Sequence, residues 1–380
     1  MRTPPDKPAS RRRILMACPM GPIGGGMYRV VDYLIGEQTE RDAPTAGSAF
    51  LQALDTRGPG SAAGSAWMLL RALGAIAVGR ARGDIAGVHI HLAERLSLVR
   101  KVTMMLACKA LGLPMIVHLH AAQFPQFYSR LPRLARWLTR KAMQLPPCWV
   151  VLGHSSRHFV TGELAVPGDR VSIVPNGVPA PALPRRQAGD IKNVLFVGNL
   201  SPRKGVGDLL SALALPGWDR TRTRVCLAGG GDVEGYGQVA QSLGLGGWLE
   251  WTGWLDQAQV AQRMAQADVL VLPSYDEGLP LVILEAMAQG VAVVCTPVGE
   301  IGQVIENQHQ ALFVSPGDPV ALAHEIQRVL RDDALRLRLE EAGRQLHARC
   351  FSLPRFQARI AALHERHFGC SAGSKSNSMQ

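Results

Sequence analysis

Short apolar runs alternate with longer segments of helical periodicity along most of this chain. An apolar run without polar interruption is typical of a strand in a parallel sheet, because helices cover both faces of such a sheet. Residues 52–66 carry no clear pattern. The alternation predicts an α/β protein. In the first half the predicted strands are 13–18, 88–92, 115–120, 149–152 and 171–174, and the predicted helices are 27–35, 96–111 and 128–145.

The same alternation starts again after a polar, Pro-rich stretch at residues 175–188, which is typical of a linker. Two such series in succession predict two Rossmann-like domains, each a doubly wound parallel sheet with helices on both faces. A last helix is predicted at 356–367. In this second half the predicted strands are 194–197, 224–228, 248–251, 269–272 and 291–295.

The length of 380 residues is sufficient for two hydrophobic cores. The patterns predict two domains, a helix that follows them and a tail at each end. The predicted segments are a disordered basic tail at 1–12, a first domain at 13–180, a second domain at 181–350, a C-terminal helix at 351–368 and a disordered Ser/Gly-rich tail at 369–380.

Composition excludes several other classes of protein. No apolar stretch reaches the roughly 18 residues that cross a bilayer, since the run at 66–78 contains Arg71. Residues 1–12 lack the apolar core of a signal peptide, so a cytoplasmic location is expected. The seven cysteines show no metal-ligand spacing and are predicted to be buried, reduced thiols.

The net charge of +11 is concentrated in the first half. Residues 1–180 hold 22 Lys and Arg against 10 Asp and Glu, whereas residues 181–380 hold 19 against 20. This asymmetry predicts that the first domain meets an anionic surface, with nucleic acid and anionic lipid as candidates. A GC-rich genome, which enriches Arg, is an alternative explanation.

One predicted helix combines positive charge with an apolar stripe. The segment 127–145 carries two series at helical spacing, and a basic amphipathic helix of this kind can lie on an anionic membrane. The alternative is a helix packed on the core with a solvated basic face. The basic series is Arg130, Arg133, Arg136, Arg140 and Lys141, and the apolar series is Phe127, Leu131, Leu134, Leu138 and Ala142.

The most informative segment is 275–290, where Glu277 and Glu285 are separated by seven residues. An apolar strand precedes it, Pro280 suits a helix start and Gly290 suits a helix stop. Glu277 is therefore expected in a loop at the carboxyl end of a parallel strand, where open α/β sheets bind ligands. The alternative is an ordinary helix-opening acid and a solvated acid on the helix face.

The helix after Glu277 also predicts an anion site. Free N–H groups of Gly278, Leu279 and Leu281 would lie at its N-terminus and suit a phosphate group. Side chains of a helix lean toward its N-terminus, so the Glu285 carboxylate can approach the same place and accept hydrogen bonds from vicinal hydroxyls such as those of a ribose.

A second motif occupies residues 193–205, where a strand is followed by Asn199, Arg203 and Lys204 and then by a helix near 206–213. Cations beside a helix N-terminus are unfavourable unless an anion is bound there. The motif therefore predicts a phosphate ligand, and the alternative is a solvated Arg-Lys pair.

Two features of the first half are weaker candidates. Gly25 and Gly26 lie in a Gly-rich turn at 19–27 after the first strand, where glycines permit close approach of backbone to ligand, although many such turns are only tight turns. His118 and His120 alternate on one strand and so share a face, with His120 at the strand end. His89 and His91 form a similar pair, which we expect to serve packing or the acceptor side.

These motifs together resemble the retaining glycosyltransferases of the GT-B fold, family 4, over residues 13–368. The resemblance implies two Rossmann-like domains facing across a cleft, an acceptor domain first and a nucleotide-sugar donor domain second, with a C-terminal helix that crosses back to the first. It places Glu277 beside the donor sugar, Glu285 on the ribose and Lys204 on the diphosphate.

The resemblance also assigns His120 to the reacting sugar and Gly25 and Gly26 to the region of the donor phosphates. The donor-binding residues that it implies are Asn199, Arg203, Gly278, Leu279, Pro280, Leu281 and Glu285. Asn199 stands where Arg is commoner in the family, so one expected cation is missing, and Arg203 is a candidate to replace it. Weaker family-like turns lie at 174–178, 229–232 and 251–253.

The resulting expectation is a retaining, metal-independent glycosyltransferase of the hexosyltransferase type. It would move a sugar from a UDP-, GDP- or dTDP-sugar to a glycan or lipid-linked acceptor, in bacterial cell-surface polysaccharide or lipid-linked glycan synthesis. No Asp-x-Asp sequence occurs, and neither a cofactor nor a nucleic-acid partner is expected. The location would be cytoplasmic, peripheral at an anionic inner membrane face. The alternatives are a nucleotide-sugar epimerase or hydrolase and a non-catalytic membrane- or nucleic-acid-associated scaffold on the same fold.

Overall fold

The computed structural model describes residues 12–20, 25–36, 48–58, 62–186 and 189–372. The chain divides into two compact units, Met1–Pro175 together with Pro354–Gln380, and Asn176–Leu353. The last helix therefore belongs to the first unit from Pro354 onward, although it follows the second unit in the sequence. Residues 1–11 of the predicted tail 1–12, residues 373–380 of the predicted tail 369–380 and the loop residues 21–24 lie outside the described residues.

Within the described residues the first unit has seven parallel strands in the order β13-β2-β1-β3-β4-β5-β6. Its strands are β1 Arg12–Cys18, β2 Ser48–Asp55, β3 Ile85–Leu92, β4 Met115–Leu119, β5 Cys148–Val151, β6 Val171–Ile173 and β13 Ser371–Ala372. Its helices are α1 Gly26–Ile35, α2 Ala62–Arg82, α3 Leu96–Ala110, α4 Phe124–Ser129, α5 Arg133–Met143, α6 His154–Gly162 and α14 Leu353–Phe368.

Three parts of this unit differ from the sequence predictions. Strand β2 and helix α2 overlap the unpatterned region 52–66, and α2 continues well beyond it to Arg82. Strand β13 pairs with β2 inside the segment that was predicted to be a disordered tail. The predicted continuous helix 128–145 is wrong, because the chain leaves the helical conformation before Pro132, which is the N-cap residue of α5. Steric conflict with a proline ring disfavours the helical conformation at the residue before it.

The two faces of the first sheet carry different chemistry. One face is apolar, and residues such as Leu15, Ile90 and Val117 pack with helices α2, α3 and α5 in a large buried core. The alternate positions on the other face include His89, His91 and His118, which are fully buried. Helix α14 packs on this second face, where Gly87 leaves room for Phe368; a β-carbon at position 87 would lie 2.3 Å from the phenyl ring.

Within its described residues the second unit has six parallel strands in the order β12-β11-β10-β7-β8-β9. The strands are β7 Lys192–Val197, β8 Thr223–Ala228, β9 Leu249–Gly253, β10 Val269–Leu272, β11 Ala292–Cys295 and β12 Leu312–Phe313. The helices are α7 Val206–Ala214, α8 Val233–Ser242, α9 Gln257–Gln266, α10 Leu281–Gln289, α11 Ile301–Val304, α12 Pro319–Arg331 and α13 Asp333–Leu346, with a π-helical turn at His347–Phe351.

The strand order of this unit identifies its ligand-binding edge. Strand β7 comes first in the chain and lies between β10 and β8, so the order of connection reverses between β7 and β10. In open α/β sheets ligands bind at the carboxyl ends of the strands at such a reversal. The loop after β7 contains Asn199, Arg203 and Lys204, and the loop after β10 contains Glu277.

Gly205 permits the close approach of these two loops. Gly205 has φ +67°, a left-handed conformation that favours glycine, and a β-carbon at this position would lie 2.0 Å from the carbonyl oxygen of Pro273. The chain after Lys204 thus passes directly against the end of β10. The contact sets the distance between Lys204 and the Glu277 loop.

All seven cysteines are free thiols in the structure. Five of the seven are buried, whereas Cys226 and Cys350 are half-buried.

We predict that Gly205→Ala lowers the free energy of unfolding by about 1–3 kcal/mol, because the new side chain meets a backbone carbonyl and the left-handed φ is strained. Gly207→Ala is the matched control, since Gly207 lies in the first turn of α7 and a β-carbon there meets nothing within 4 Å. This control should keep or raise stability, because alanine favours helix. Thermal and urea unfolding of both variants measure the difference, and equal stabilities would contradict the assigned contact.

Candidate active site

The centre of the candidate site is an ion pair between the two loops at the β7/β10 reversal. Glu277 is 7% exposed, and its Oε1 accepts a hydrogen bond from Lys204 Nζ at 2.5 Å. The same oxygen accepts a hydrogen bond from Ser274 Oγ at 2.7 Å. A buried carboxylate requires such partners, because desolvation of an unpaired charge is costly. Two loops that are 73 residues apart in sequence are thereby fixed to each other.

Arg203 is turned toward the same loop. Its Nη1 donates a hydrogen bond to the carbonyl oxygen of Asp276 at 2.7 Å and lies 3.8 Å from Glu277 Oε2. The side chain is 40% exposed, so part of the guanidinium still faces solvent. The structure therefore brings Arg203 and Lys204 together at Glu277, which the sequence could not establish for Arg203.

Asn199 lies beside the neighbouring loop after β8. The amide N–H of Leu200 donates to the carbonyl oxygen of Gly230 at 2.7 Å, and a β-carbon at Gly229 would lie 1.8 Å from the carbonyl oxygen of Gly198. These contacts join the two Gly-rich loops, and the Asn199 side chain is exposed at their junction. The exposed amide adds no positive charge to the site.

Helix α10 presents its N-terminus on the other side of Glu277. Pro280 is the N-cap residue, and it provides no side-chain cap for the first turn. The carbonyl oxygen of Gly278 accepts a hydrogen bond from the Glu300 N–H at 3.0 Å. The carbonyl oxygen of Leu279 accepts one from Asn176 Nδ2 at 2.9 Å. The helix begins at Leu281, one residue after Pro280, which was predicted to start it, and Glu285 is a half-buried residue one turn later. This arrangement can accept an anion at the uncapped end of the helix.

Three residues of this site were not predicted from the sequence. Ser274 donates a hydrogen bond to the Glu277 carboxylate. Its own carbonyl oxygen accepts a hydrogen bond from Thr296 Oγ1 at 2.5 Å. Gly299 has φ +62°, and a β-carbon there would lie 1.8 Å from the carbonyl oxygen of Glu277. Gly299 could have been suspected from the short turn after β11, whereas the serine and threonine carry no distinctive signal.

A tyrosine beside these loops has an altered acidity. The Tyr275 hydroxyl shares a hydrogen bond with Asp208 of α7, and this contact raises the pKa of Tyr275. The raised pKa keeps Tyr275 protonated at neutral pH, and its side chain is about half exposed. Because its single O–H is directed at Asp208, its oxygen can accept but not donate a hydrogen bond at the edge of the site.

In the first unit the candidate residue His120 belongs to a cluster of imidazoles. His120 Nε2 lies 2.8 Å from His91 Nδ1, and the His120 ring packs on His118 at a centroid distance of 4.0 Å. Burial lowers the pKa of His120 to about 3, so the ring is neutral near pH 7. His91, which was expected to serve packing or the acceptor side, therefore contacts the candidate directly.

Gly25 and Gly26 start helix α1. Gly25 is its N-cap residue with φ −73°, and a β-carbon at either glycine meets nothing within 4 Å. The described contacts thus do not require glycine at these positions. A role in close approach to a ligand remains a prediction.

A buried lysine lies near the ends of β1 and β2 and is not part of any predicted motif. Lys101 Nζ donates to the Ala17 carbonyl oxygen and to Thr56 Oγ1, both at 2.8 Å. Burial lowers the pKa of Lys101 to about 7. The lysine ties helix α3 to the carboxyl ends of the two strands.

Comparison with known protein families identifies both halves of the chain. Residues 25–180 match the model of "Glycosyltransferase Family 4", and residues 185–346 match the model of "Glycosyl transferases group 1". The chain belongs to this family of glycosyltransferases.

Curated relatives in the family act on different molecules. A glycogen synthase of Mycobacterium tuberculosis is 31% identical over 217 residues, which are 55% of this chain and 50% of that protein. An O-antigen chain mannosyltransferase B of Escherichia coli is 30% identical over 189 residues, 49% of each chain. The chain thus spans about half the length of the curated relatives that it matches.

Solved structures confirm the predicted GT-B fold. Sucrose-phosphate synthase from Thermosynechococcus elongatus superimposes with a TM-score of 0.76 at 19% identity, over 94% of this chain and 100% of that chain. Anabaena HepE in complex with UDP and glucose gives a TM-score of 0.71 at 17% identity, over 93% and 99% of the two chains. WaaG, a glycosyltransferase involved in lipopolysaccharide biosynthesis, gives 0.67 at 16% identity, over 91% and 99%. Among the described helices of the present protein, none has the length and apolar content to cross a membrane.

Proposed function

We propose that this glycosyltransferase binds a nucleoside-diphosphate sugar at the β7/β10 reversal and transfers the sugar with retention of configuration. The observation that carries the proposal is the convergence of Lys204, Arg203 and the uncapped N-terminus of α10 around the buried Glu277. Two cations and a helix N-terminus at one place form a site for a diphosphate.

The cations suit the departure of the nucleoside diphosphate. When the bond between the sugar and the diphosphate breaks, negative charge grows on the leaving oxygen. Lys204, Arg203 and the N–H groups at the start of α10 are preorganised to stabilise that charge. Glu277 holds Lys204, so the ammonium group is already positioned for the donor. These cations support a reaction without a metal ion.

Glu277 is better suited to orienting the sugar than to attacking it. Its Oε1 already accepts two hydrogen bonds, from Lys204 and Ser274, and both lower its nucleophilicity. We infer that the acceptor hydroxyl attacks from the side of the leaving group and that Glu277 positions hydroxyl groups of the donor sugar. Retention then requires no covalent glycosyl-enzyme intermediate.

The remaining candidate residues complete the proposal. Glu285, one turn into α10, would accept hydrogen bonds from the ribose hydroxyls of the donor. The complex of Anabaena HepE with UDP and glucose supports a nucleotide-sugar donor of the same kind. His120 is proposed to polarise the reacting sugar, and Gly25 and Gly26 to approach the donor.

We propose that the acceptor is a glycan or a lipid-linked glycan reached at an anionic membrane surface. Helix α5 buries Thr139, Ala142 and Met143 but leaves the bulky part of its predicted apolar stripe in solvent. Leu134, Trp137 and Leu138 are 68%, 55% and 53% exposed. Leu134 and Leu138 are therefore not packed on the core, which argues against the alternative of a simple core-packed helix.

The neighbouring helices extend the same surface. Helices α2 and α3 pack together, as do α3 and α5. Together they expose Trp67 and Leu70 on α2 and Leu96 and Val99 on α3. Between Glu94 and Glu163 the sequence contains ten Lys and Arg residues and no Asp or Glu. A surface with exposed tryptophan, leucine and arginine side chains suits the interface of an anionic bilayer.

We predict that Lys204→Ala lowers the turnover number about 10²-fold or more, because one preorganised donor to the developing anion is lost. Lys192→Ala is the control. Lys192 lies at the start of β7 in the same unit, but it pairs with Asp333 and should tolerate the change. Release of nucleoside diphosphate in the presence of acceptor measures both rates. Near-normal turnover of Lys204→Ala would refute the role of Lys204.

We predict that replacing Leu134, Trp137 and Leu138 together by serine weakens binding to phosphatidylglycerol-containing liposomes by roughly tenfold or more, since buried apolar area drives interfacial binding. Leu337→Ser, at an exposed leucine of α13 in the second unit, is the control. Liposome co-sedimentation at low salt measures the binding. The membrane proposal fails if the unaltered protein does not bind or if the triple variant binds equally well.

A further inference from the structure

The second face of the first sheet contains a compact group of histidines in an otherwise apolar interior. His89 and His91 lie on β3 and His118 lies on β4, directly opposite His91 in the strand register. All three side chains are fully buried. The His89 ring stacks on the rings of His91 and His118, at centroid distances of 4.6 Å and 5.5 Å. The rings of His91 and His118 are tilted by 32° at a centroid distance of 5.4 Å.

These imidazoles retain nitrogen atoms that the protein does not satisfy. His89 Nε2, His91 Nε2 and both ring nitrogens of His118 are buried and have no hydrogen-bond partner among the described residues. Each such atom carries the desolvation cost of an unpaired buried polar group. Four unsatisfied nitrogens in one place are unusual for a folded protein and indicate that a further group binds there.

The nitrogens are close enough to share one ion. One nitrogen from each of the three rings lies within 4.8 Å of the other two. Zinc–nitrogen bonds of about 2.0–2.1 Å place the ligand nitrogens of one ion about 3.3–3.6 Å apart. Binding one ion therefore requires the nitrogens to approach one another by about 1 Å and the stacked rings to tilt, so that their in-plane lone pairs converge on the ion.

Two more histidines, His364 and His120, lie within hydrogen-bond distance of the Nδ1 atoms of His89 and His91. His89 Nδ1 lies 2.9 Å from Nε2 of His364 on α14, and His91 Nδ1 lies 2.8 Å from Nε2 of His120. Metal-binding histidines commonly use their second nitrogen in this way, and the contact fixes both the ring orientation and the position of the proton. The inner Nε2 atoms of His89 and His91 are left as the available ligand atoms.

The geometry points to a metal site: we propose that His89, His91 and His118 bind one transition-metal ion of borderline softness, with Zn²⁺ the first candidate. Neutral imidazole is the ligating form, and burial lowers the pKa of all three rings well below the usual value for histidine. Three nitrogen ligands favour Zn²⁺, Ni²⁺ or copper over Mg²⁺ or Ca²⁺, which prefer oxygen. The ion would tie β3 to β4 and complete the polar interior of the first unit.

The ion would also determine the tautomer of His120, an effect on catalysis that rests on the proposed function of that residue. A metal ion on His91 Nε2 leaves the proton on His91 Nδ1, which then donates to His120 Nε2. His120 is thereby left with its own proton on Nδ1, at the carboxyl end of β4. The metal site itself does not depend on this consequence.

The test uses the full-length protein after removal of any affinity tag and after treatment with a chelator, which is then dialysed away. Co²⁺ is added as a spectroscopic probe and Zn²⁺ as the candidate ion, and bound metal is counted by plasma mass spectrometry after gel filtration. We expect one ion per chain, a visible Co²⁺ spectrum typical of low-coordinate nitrogen ligation that Zn²⁺ abolishes, and a higher thermal unfolding temperature with Zn²⁺.

The decisive variant is His118→Phe. Both ring nitrogens of His118 are unpaired, so phenylalanine removes a ligand while it keeps an aromatic ring of similar shape in the core. We expect this variant to unfold at the same temperature as the metal-free protein, or higher, and to bind no stoichiometric Co²⁺. His158→Phe, at an exposed histidine of the same unit, should bind one ion like the unaltered protein.

Two results would overturn the proposal. One is the absence of a stoichiometric Co²⁺ or Zn²⁺ complex in the unaltered protein. The other is equal metal binding by His118→Phe, which would mean adventitious binding elsewhere. Donor binding is measured separately with nucleotides, so failure of the metal site and failure of the proposed glycosyl transfer give different results.

Discussion

The ion pair between Lys204 and Glu277 is the interaction on which the candidate site depends. It lies where the strand order of the second sheet reverses, and it joins the loop after β7 to the loop after β10. Removal of one partner from a buried pair typically costs about 3–5 kcal/mol, because the other charge remains uncompensated. Gly205 and Gly299 permit the close backbone approaches that bring the two charges together. The ligand-binding geometry is thus built into the backbone around a charge that cannot be buried alone.

The same pair links stability to chemistry. Glu277 holds Lys204 in place and Lys204 compensates the charge of Glu277, so neither side chain must reorganise strongly for a diphosphate to bind. Arg203 and the N-terminus of α10 add positive potential beside them. Such preorganisation of charged groups is the physical basis of electrostatic catalysis. Arg203 contacts the loop after β10, whereas the side chain at position 199 is an exposed, uncharged amide.

The sequence predicted the second unit better than the first, for identifiable reasons. Strand β10 is a pure apolar run, and Pro280 and Gly290 mark both ends of α10, so local chemistry determined those elements. In the first unit, α4 and α5 were predicted as one helix, because the apolar periodicity of the segment was given more weight than Pro132. The proline is in fact the stronger local signal for a helix boundary. Strand β2 and helix α2 were not assigned, because their alternation is weak and Ala and Gly dominate the helix.

Other features could not have been predicted from local pattern at all. The alternation of His118 and His120 correctly predicted a shared face. However, the contact of His89 with His364 joins residues 275 positions apart and arises only because α14 packs on the first sheet. Likewise, Ser274 and Thr296 look ordinary in the sequence and acquire a role only through the buried carboxylate beside them. Patterns of hydrophobicity determine elements and faces, whereas the partners of buried polar atoms depend on tertiary packing.

Binding of nucleoside diphosphates tests the proposed donor site most directly. It is measured by thermal unfolding without added metal. A ligand that binds only the folded state stabilises it, by about 2.7 kcal/mol at a hundred times its Kd. We expect that one of UDP, GDP and dTDP raises the unfolding temperature and that Glu285→Ala abolishes the shift. Glu341→Ala, at an exposed glutamate of α13, should retain it. No shift with any of the three nucleotides, or an unchanged shift in Glu285→Ala, would contradict a donor site at the β7/β10 reversal.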